Sequence, residues 1–217
     1  MTSLVLPGVY TPQDDTDLLA GALDDEPIQP GSSVLDLCTG SGALALLAAG
    51  RGARVTAVDV SRRAVCTARL NALHARVPVR IRRGDLFAPV DGQSFDLIIS
   101  NPPYVPAPPS RSVPSGPARA WDAGGDGRLL LDRICREAPG RLRPGGVVLL
   151  VQSALSGVDR TLHRLRESEL KASVVRRRHI GFGPVLRERA AWLRERGLLA
   201  PGEDREELVV VRAERPC

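Results

Sequence analysis

Four groups of residues in this 217-residue chain are of types and spacings that could do chemistry together. The first is Asp36-Leu37-Cys38-Thr39-Gly40-Ser41-Gly42, which leads into an apolar run from Ala43 to Ala49. Glycines at such a turn let bare backbone approach a ligand at the start of a helix. The second is Asp59, 17 residues after Gly42, where a carboxylate can accept from the vicinal hydroxyls of a ribose. The third is Asp85-Leu86, at the next strand end, where the acid could accept from the exocyclic amine of a purine. The fourth is Asn101-Pro102-Pro103-Tyr104. Its prolines lack backbone donors and fix the course of the chain, leaving the Pro102 carbonyl and the Asn101 side-chain oxygen as acceptors. Two acceptors at fixed spacing suit one planar NH2 group, and Tyr104 can stack on the flat group that carries it.

Asp36 decides between ligands for the glycine turn. With Ala45, the segment also satisfies the Gly-x-Gly-x-x-Ala dinucleotide pattern. A carboxylate just before the glycines would repel a pyrophosphate but suits a cationic amine. S-adenosylmethionine carries an ammonium and a sulfonium and no phosphate, so it is the expected cofactor rather than NAD. The expected cofactor contacts are Asp36, Cys38, Gly40, Gly42, Asp59, Asp85, Leu86 and Asn101; the expected catalytic residues are Asn101, Pro102 and Tyr104.

These residues fall at the ends of predicted strands. Apolar runs predict strands at 34–37, 54–60, 79–82, 95–100, 146–151, 172–176 and 208–211, with helices at 43–49, 62–74, 129–137, 159–169 and 184–196 between most of them. Such alternation predicts an α/β fold: a doubly wound, mostly parallel seven-stranded sheet of Rossmann-like class, with ligands outside the carboxyl ends of its strands. Thr11-Pro12-Gln13-Asp14 reads as the start of an additional N-terminal helix, threonine capping and proline at the first helical position. One domain is expected over residues 1–217, with 1–30 covering the cofactor, 31–151 forming the cofactor-binding core and 152–217 lying on the substrate side. Residues 102–127, rich in Pro, Gly and Ser, read as a long loop, a common site of function. Leu186 and Leu193, seven apart, predict an amphipathic helix with its arginines turned outward.

Composition narrows the class. Hydrophobic residues make up 43% and aromatic residues only 3%, so the core must be built from Leu, Val, Ile and Ala. The four cysteines form no Cys-x-x-Cys pair and the three histidines stand apart, so no metal site is expected. Scattered thiols fit a reducing compartment, and no apolar run is long enough to span a bilayer; the expected location is cytoplasmic, with no membrane partner. Charge is uneven: seven acids and no basic residue precede Arg51, whereas the remainder holds 30 basic residues against 18 acidic. Such asymmetry can mark a nucleic-acid face, although dispersed arginines more often solvate helix surfaces.

Together these motifs resemble the class I S-adenosylmethionine-dependent amino methyltransferases. Within them, Asp36-Leu37-Cys38-Thr39-Gly40-Ser41-Gly42-Ala43-Leu44-Ala45 followed by Asn101-Pro102-Pro103-Tyr104-Val105-Pro106 is similar to the HemK-like glutamine methyltransferases that modify translation release factors. The segment from Val9 to Leu19 resembles the start of the compact eukaryotic and archaeal branch, whose Asp-Thr threonine lies at the cofactor; Thr16 matches it. Trp121 to Gly127, with Asp126 capping the next helix, looks like the family's loop. The resemblance covers residues 9 to about 151 and implies methyl transfer to a glutamine side chain of a protein such as a release factor. It also implies a small zinc-binding partner subunit, as in the compact branch. Three departures stand out: no room for the N-terminal helical domain of the bacterial enzymes, Cys38 where many relatives carry glycine, and an arginine-rich helix near 184–196 with no counterpart in the compact branch. The second reading is an RNA or DNA amino methyltransferase acting on adenine N6 or guanine N2, with Tyr104 stacking on a flipped base. A small-molecule N-methyltransferase is the third.

Overall fold

Residues 4–108 and 121–217 are described by the computed structural model of the chain. Seven strands form one sheet: β1 (Ser33–Leu37), β2 (Arg54–Asp59), β3 (Val79–Arg83), β4 (Phe95–Ser100), β5 (Leu142–Ser153), β6 (Lys171–Gly181) and β7 (Arg205–Glu214). Their order is β3-β2-β1-β4-β5-β7-β6. The first five are mutually parallel, and β7 runs antiparallel between β5 and β6. Strands buried on both faces read as continuous apolar runs, and Val34, Leu35, Leu37, Ile98, Ile99 and Val148 to Val151 are all buried in a single core. Among the described residues six α-helices flank the sheet: α1 (Asp14–Asp24), α2 (Ala43–Gly50), α3 (Arg62–Ala75), α4 (Leu131–Glu137), α5 (Val158–Glu167) and α6 (Pro184–Glu195). Helix α2 packs on α1 and α3, and α4 on α5. The expected doubly wound sheet is therefore what the chain forms.

The strand order reverses between β1 and β4, and in open α/β sheets ligands bind at such a switch point. The turn after β1 and the loop after β4 both leave the sheet there. Gly42 (φ +86°) ends the β1 turn in left-handed backbone, and a Cβ on it would stand 3.1 Å from the Ala68 Cβ. Only glycine lets α2 start this close to α3. The N-terminal segment is pinned across the same helices: Asn71 accepts from the Leu4 amide and donates to the Leu4 and Ser41 carbonyls, all at 2.9 Å.

Several boundaries differ from expectation; β5, at 12 residues, is twice the run predicted for it. Helix α1 begins at Asp14 rather than Pro12, because Gln13 is extended (φ −136°) and no side chain caps the helix. Tyr10 explains the shift: its hydroxyl donates to Asp15 at 2.8 Å, holding residues 10–13 along the helix entry. Strands β6 and β7 are each about twice as long as their apolar runs, since β6 continues as an edge strand past Val174 through Arg176, Arg177, Arg178 and His179, held by its pairing with β7. Helix α6 is the amphipathic helix expected, with Leu186 and Leu193 buried against Phe182 and Leu199. Its arginines do more than face water. Arg187 donates to the Phe182 carbonyl at 2.8 Å and Arg194 to the Glu203 carbonyl at 3.0 Å. Of the expected 102–127 loop, residues 109–120 lie outside the described residues.

Candidate active site

The strand ends of β1, β2 and β4, the turn after β3 and the N-terminal segment line one cavity of about 1130 Å³. Single-ligand pockets run to ~1,000 Å³, so this volume has room for a cofactor together with an acceptor side chain. Thr16, Cys38, Gly40, Asp59, Asp85, Leu86, Asn101, Pro102 and Tyr104 all line it. Gly42 and Asp36 are not part of its wall: Gly42 forms the packed base of the turn, and Asp36 lies beneath it, 1% exposed.

Asp36 accepts from the Thr39 hydroxyl at 2.5 Å, bracing the turn from below. Its Oδ1 is sealed from solvent with no well-formed hydrogen bond. Burial pushes the carboxyl up to about 7, the Thr39 hydroxyl and the Ala45 amide offsetting only part of that. Asp59 organises the turn from the other side, accepting from the Gly40 amide at 2.9 Å and from the Ser61 amide at 2.8 Å. Gly40 itself is left-handed (φ +54°), and nothing stands where its Cβ would be. Bare backbone therefore faces open cavity there, as the glycine motif requires. Cys38 is also left-handed (φ +57°), which accounts for the glycine expected at this position, since a Cβ is strained in that region. Burial drives the Cys38 thiol well above its ordinary value, so it stays protonated.

Asp85, the expected purine contact, already has a partner within the chain. Asp85 is held bidentately by Arg133 at 3.0 and 2.9 Å, so an exocyclic amine would share that carboxylate with a guanidinium. Arg133 sits on α4, 48 residues away, beyond the reach of any local motif. Leu86 is buried with φ +44°, closing the cavity floor beside it.

The opposite end gathers residues distant in sequence. Asn101 donates through Nδ2 to the Thr16 hydroxyl at 3.3 Å, which fixes the amide and leaves its Oδ1 as the acceptor. Ser100 ties the end of β4 to β1 through the Leu37 carbonyl at 3.0 Å. Tyr104 is buried, and its hydroxyl donates to Asp15 Oδ2 at 2.9 Å. The ring is thus a fixed wall of the cavity. Gly127 secures the same loop: a Cβ there would stand 2.3 Å from the Tyr104 carbonyl oxygen, so residues 121–127 can press against it only through glycine. Asp126 does not cap α4 as expected, because the helix starts later, at Leu131, with Leu130 at its N-cap and no side-chain cap; Asp126 accepts instead from the Arg128 amide at 3.1 Å in the turn before it. Arg189 of α6 clamps the other flank, donating to the Pro106 carbonyl at 3.0 Å and pairing with Asp122. Sequence reasoning missed Asp15 and Glu206, both buried at this end. Glu206 had one signal, an acid in phase with Leu208 and Val210 on the inward face of β7.

The family model of the methyltransferase small domain matches residues 2–110, half of the chain. A putative protein N5-glutamine methyltransferase of Methanocaldococcus jannaschii is 36% identical over 181 residues, spanning 83% of this chain and 90% of that relative. The chain belongs to this methyltransferase family. A release factor glutamine methyltransferase of Streptomyces coelicolor is 38% identical over 168 residues, covering 70% of this chain but only 57% of that enzyme. A chain of the E. cuniculi Mtq2–Trm112 complex, described as methylating the termination factor eRF1, superposes with a TM-score of 0.66. It covers 96% of this methyltransferase and 99% of that chain at 22% identity, which establishes the shared fold. Among the described residues of the methyltransferase, no cluster of side chains could hold a metal ion and no helix is long and apolar enough to cross a membrane.

Proposed function

We propose that this chain transfers a methyl group from S-adenosylmethionine to the side-chain amide nitrogen of a protein glutamine, in a translation release factor. The observation that carries the reading is Asn101, oriented by Thr16 from 85 residues away, at the mouth of a cavity shared with the glycine turn. The glutamine methyltransferase names of relatives at 36% and 38% identity support the acceptor.

The residues present fit the cofactor. The open backbone at Gly40 suits the amino-acid end, with Asp36 bracing its turn from beneath; Asp59 suits the ribose and the Asp85–Leu86 floor the purine. When bound, S-adenosylmethionine supplies a methyl already activated on a sulfonium. The chain's task is then to place the nucleophile. Asn101 Oδ1 and the Pro102 carbonyl accept the two N–H bonds of the amide, aim its nitrogen and stabilise the positive charge that grows there. Tyr104, anchored to Asp15, keeps the amide plane in register and water out.

The paired arginines weigh against a nucleic-acid face. Arg160, Arg176, Arg177, Arg178 and Arg212 all make ion pairs within the chain. The reading extends to a small protein partner of the kind present in the E. cuniculi complex, expected to co-purify with the chain from its host. The acceptor is tested by incubating the chain with labelled S-adenosylmethionine and the host's release factor, beside a factor whose Gly-Gly-Gln glutamine is alanine. Label on the natural factor alone is expected; label on RNA instead, or on both factors equally, overturns the acceptor.

A further inference from the structure

Glu206 belongs to none of the roles above, yet it lies inside the same cavity. It sits near the start of β7, opposite Ile180 of β6 in the ladder, with its side chain 6% exposed. Its Oε1 is sealed from solvent without a hydrogen-bond partner. Buried oxygens are ordinarily satisfied, and one that is not calls for a ligand or a function.

Asp15 on α1 supplies the contrast. Its Oδ2 accepts from the Tyr10 and Tyr104 hydroxyls, and its Oδ1 from the Thr16 amide and hydroxyl. Four donors saturate that carboxylate, so it can only hold the wall. Glu206 faces the same two tyrosines and Asp15, with the Ser153 hydroxyl of β5 beside it. Its neighbour on the strand, Glu207, takes Arg177 instead and stands opposite His179. Of the two buried acids at this end, Glu206 is the one with an oxygen to offer.

We propose that Glu206 is a further catalytic residue: its unpartnered oxygen takes the proton that methyl transfer releases, from the N–H that the Pro102 carbonyl holds beforehand. The inference rests on the amide-acceptor reading. The nitrogen lone pair forms the new N–C bond while the C–S bond breaks, and the sulfur keeps that pair as a neutral thioether. The N–H electrons return to nitrogen as the proton passes to the Glu206 carboxylate. Burial pushes Glu206 up to about 7, Asp15 adding to the rise and Ser153 offsetting part of it. A base of that strength can take a proton near neutral pH and return it to solvent.

The test compares wild type, Glu206→Gln and Glu206→Asp on a Gly-Gly-Gln release factor, measuring kcat and acceptor KM from pH 5.5 to 9 and cofactor affinity by calorimetry. Cofactor is kept saturating, so that titration of Asp36 does not enter kcat. Glu206→Gln should lower kcat by about 100-fold, in the range of general-base contributions. It should also abolish the rise of kcat through pH 7, with cofactor affinity within twofold of wild type. Glu206→Asp should retain the rise at reduced kcat, and it carries the test if the glutamine variant fails to fold. Wild-type kcat in Glu206→Gln, with the pH limb intact, overturns the assignment of Glu206 alone. A wild-type chain that binds cofactor but never methylates the factor overturns the amide reading, and the assignment falls with it.

Discussion

The two ends of the cavity are built differently. At the cofactor end each wall is a strand followed by its own turn, and apart from Arg133 on Asp85 the contacts are short in sequence: Thr39 to Asp36, Asp59 to Gly40, Ser61 to Asp59. At the acceptor end the decisive contacts join Thr16 to Asn101, 85 residues apart, and Asp15 to Tyr104, 89 apart. The first end is made by the parallel half of the sheet, whose geometry dictates where a ligand sits. The second is assembled by the N-terminal segment, the loop after β4, and the β6–α6–β7 unit. On the proposed function, the cofactor is held by the parallel frame and the acceptor by parts brought in from outside it.

If the ends divide the work, substitutions should separate turnover from cofactor binding. The largest effect is expected at Asn101: Asn101→Ala should lower kcat about 1,000-fold, the order seen when a preorganised charge-stabilising group is lost. Initial rates at saturating cofactor would show it. Next is Asp15→Ala, which strands the half-buried Tyr10 and the buried Tyr104 hydroxyls and should destabilise the fold by about 3 kcal/mol. Urea unfolding measures this, and a change below about 0.5 kcal/mol would mean the acceptor end does not depend on that anchor.

The cofactor end should reveal itself through pH. Asp36 is raised to about 7 in the folded chain, against about 4 when unfolded. The folded state therefore holds that proton more tightly. Its contribution to stability is complete below pH ~4 and is lost as pH rises through 7, on the order of a few kcal/mol. Asp36→Asn should flatten that slope in chemical denaturation between pH 5 and 8, leaving the remainder that Glu206 contributes with the same sign. The smallest effect is Cys38→Gly: relief of left-handed strain should stabilise the chain by about 1 kcal/mol or less, with turnover unchanged.

The same contrast explains what could be read from the chain. Val34 to Leu37 and Phe95 to Ser100 are buried parallel strands, so their apolar runs predicted both the strands and the turns that follow. Gly40, Asp59 and Asn101 were legible because each follows its own strand directly. The start of α1 was misplaced because Tyr10, bonded to Asp15, overrides the Thr11-Pro12 capping signal. Arg133 on Asp85 and Arg189 on Asp122 were hidden, since long-range pairing leaves no periodic trace. Glu206 left only its phase with Leu208 and Val210: the apolar run predicted a strand from 208 alone, and pairing with β6 carries β7 back to Arg205.

The most direct measurement is a pair of calorimetric titrations with S-adenosylmethionine, one on Asn101→Ala and one on Asp59→Asn. The expected result is cofactor affinity within twofold of wild type for Asn101→Ala and a loss of about tenfold or more for Asp59→Asn, as for a lost charge-assisted hydrogen bond. Equal losses in the two variants would contradict a cavity whose ends are built, and act, separately.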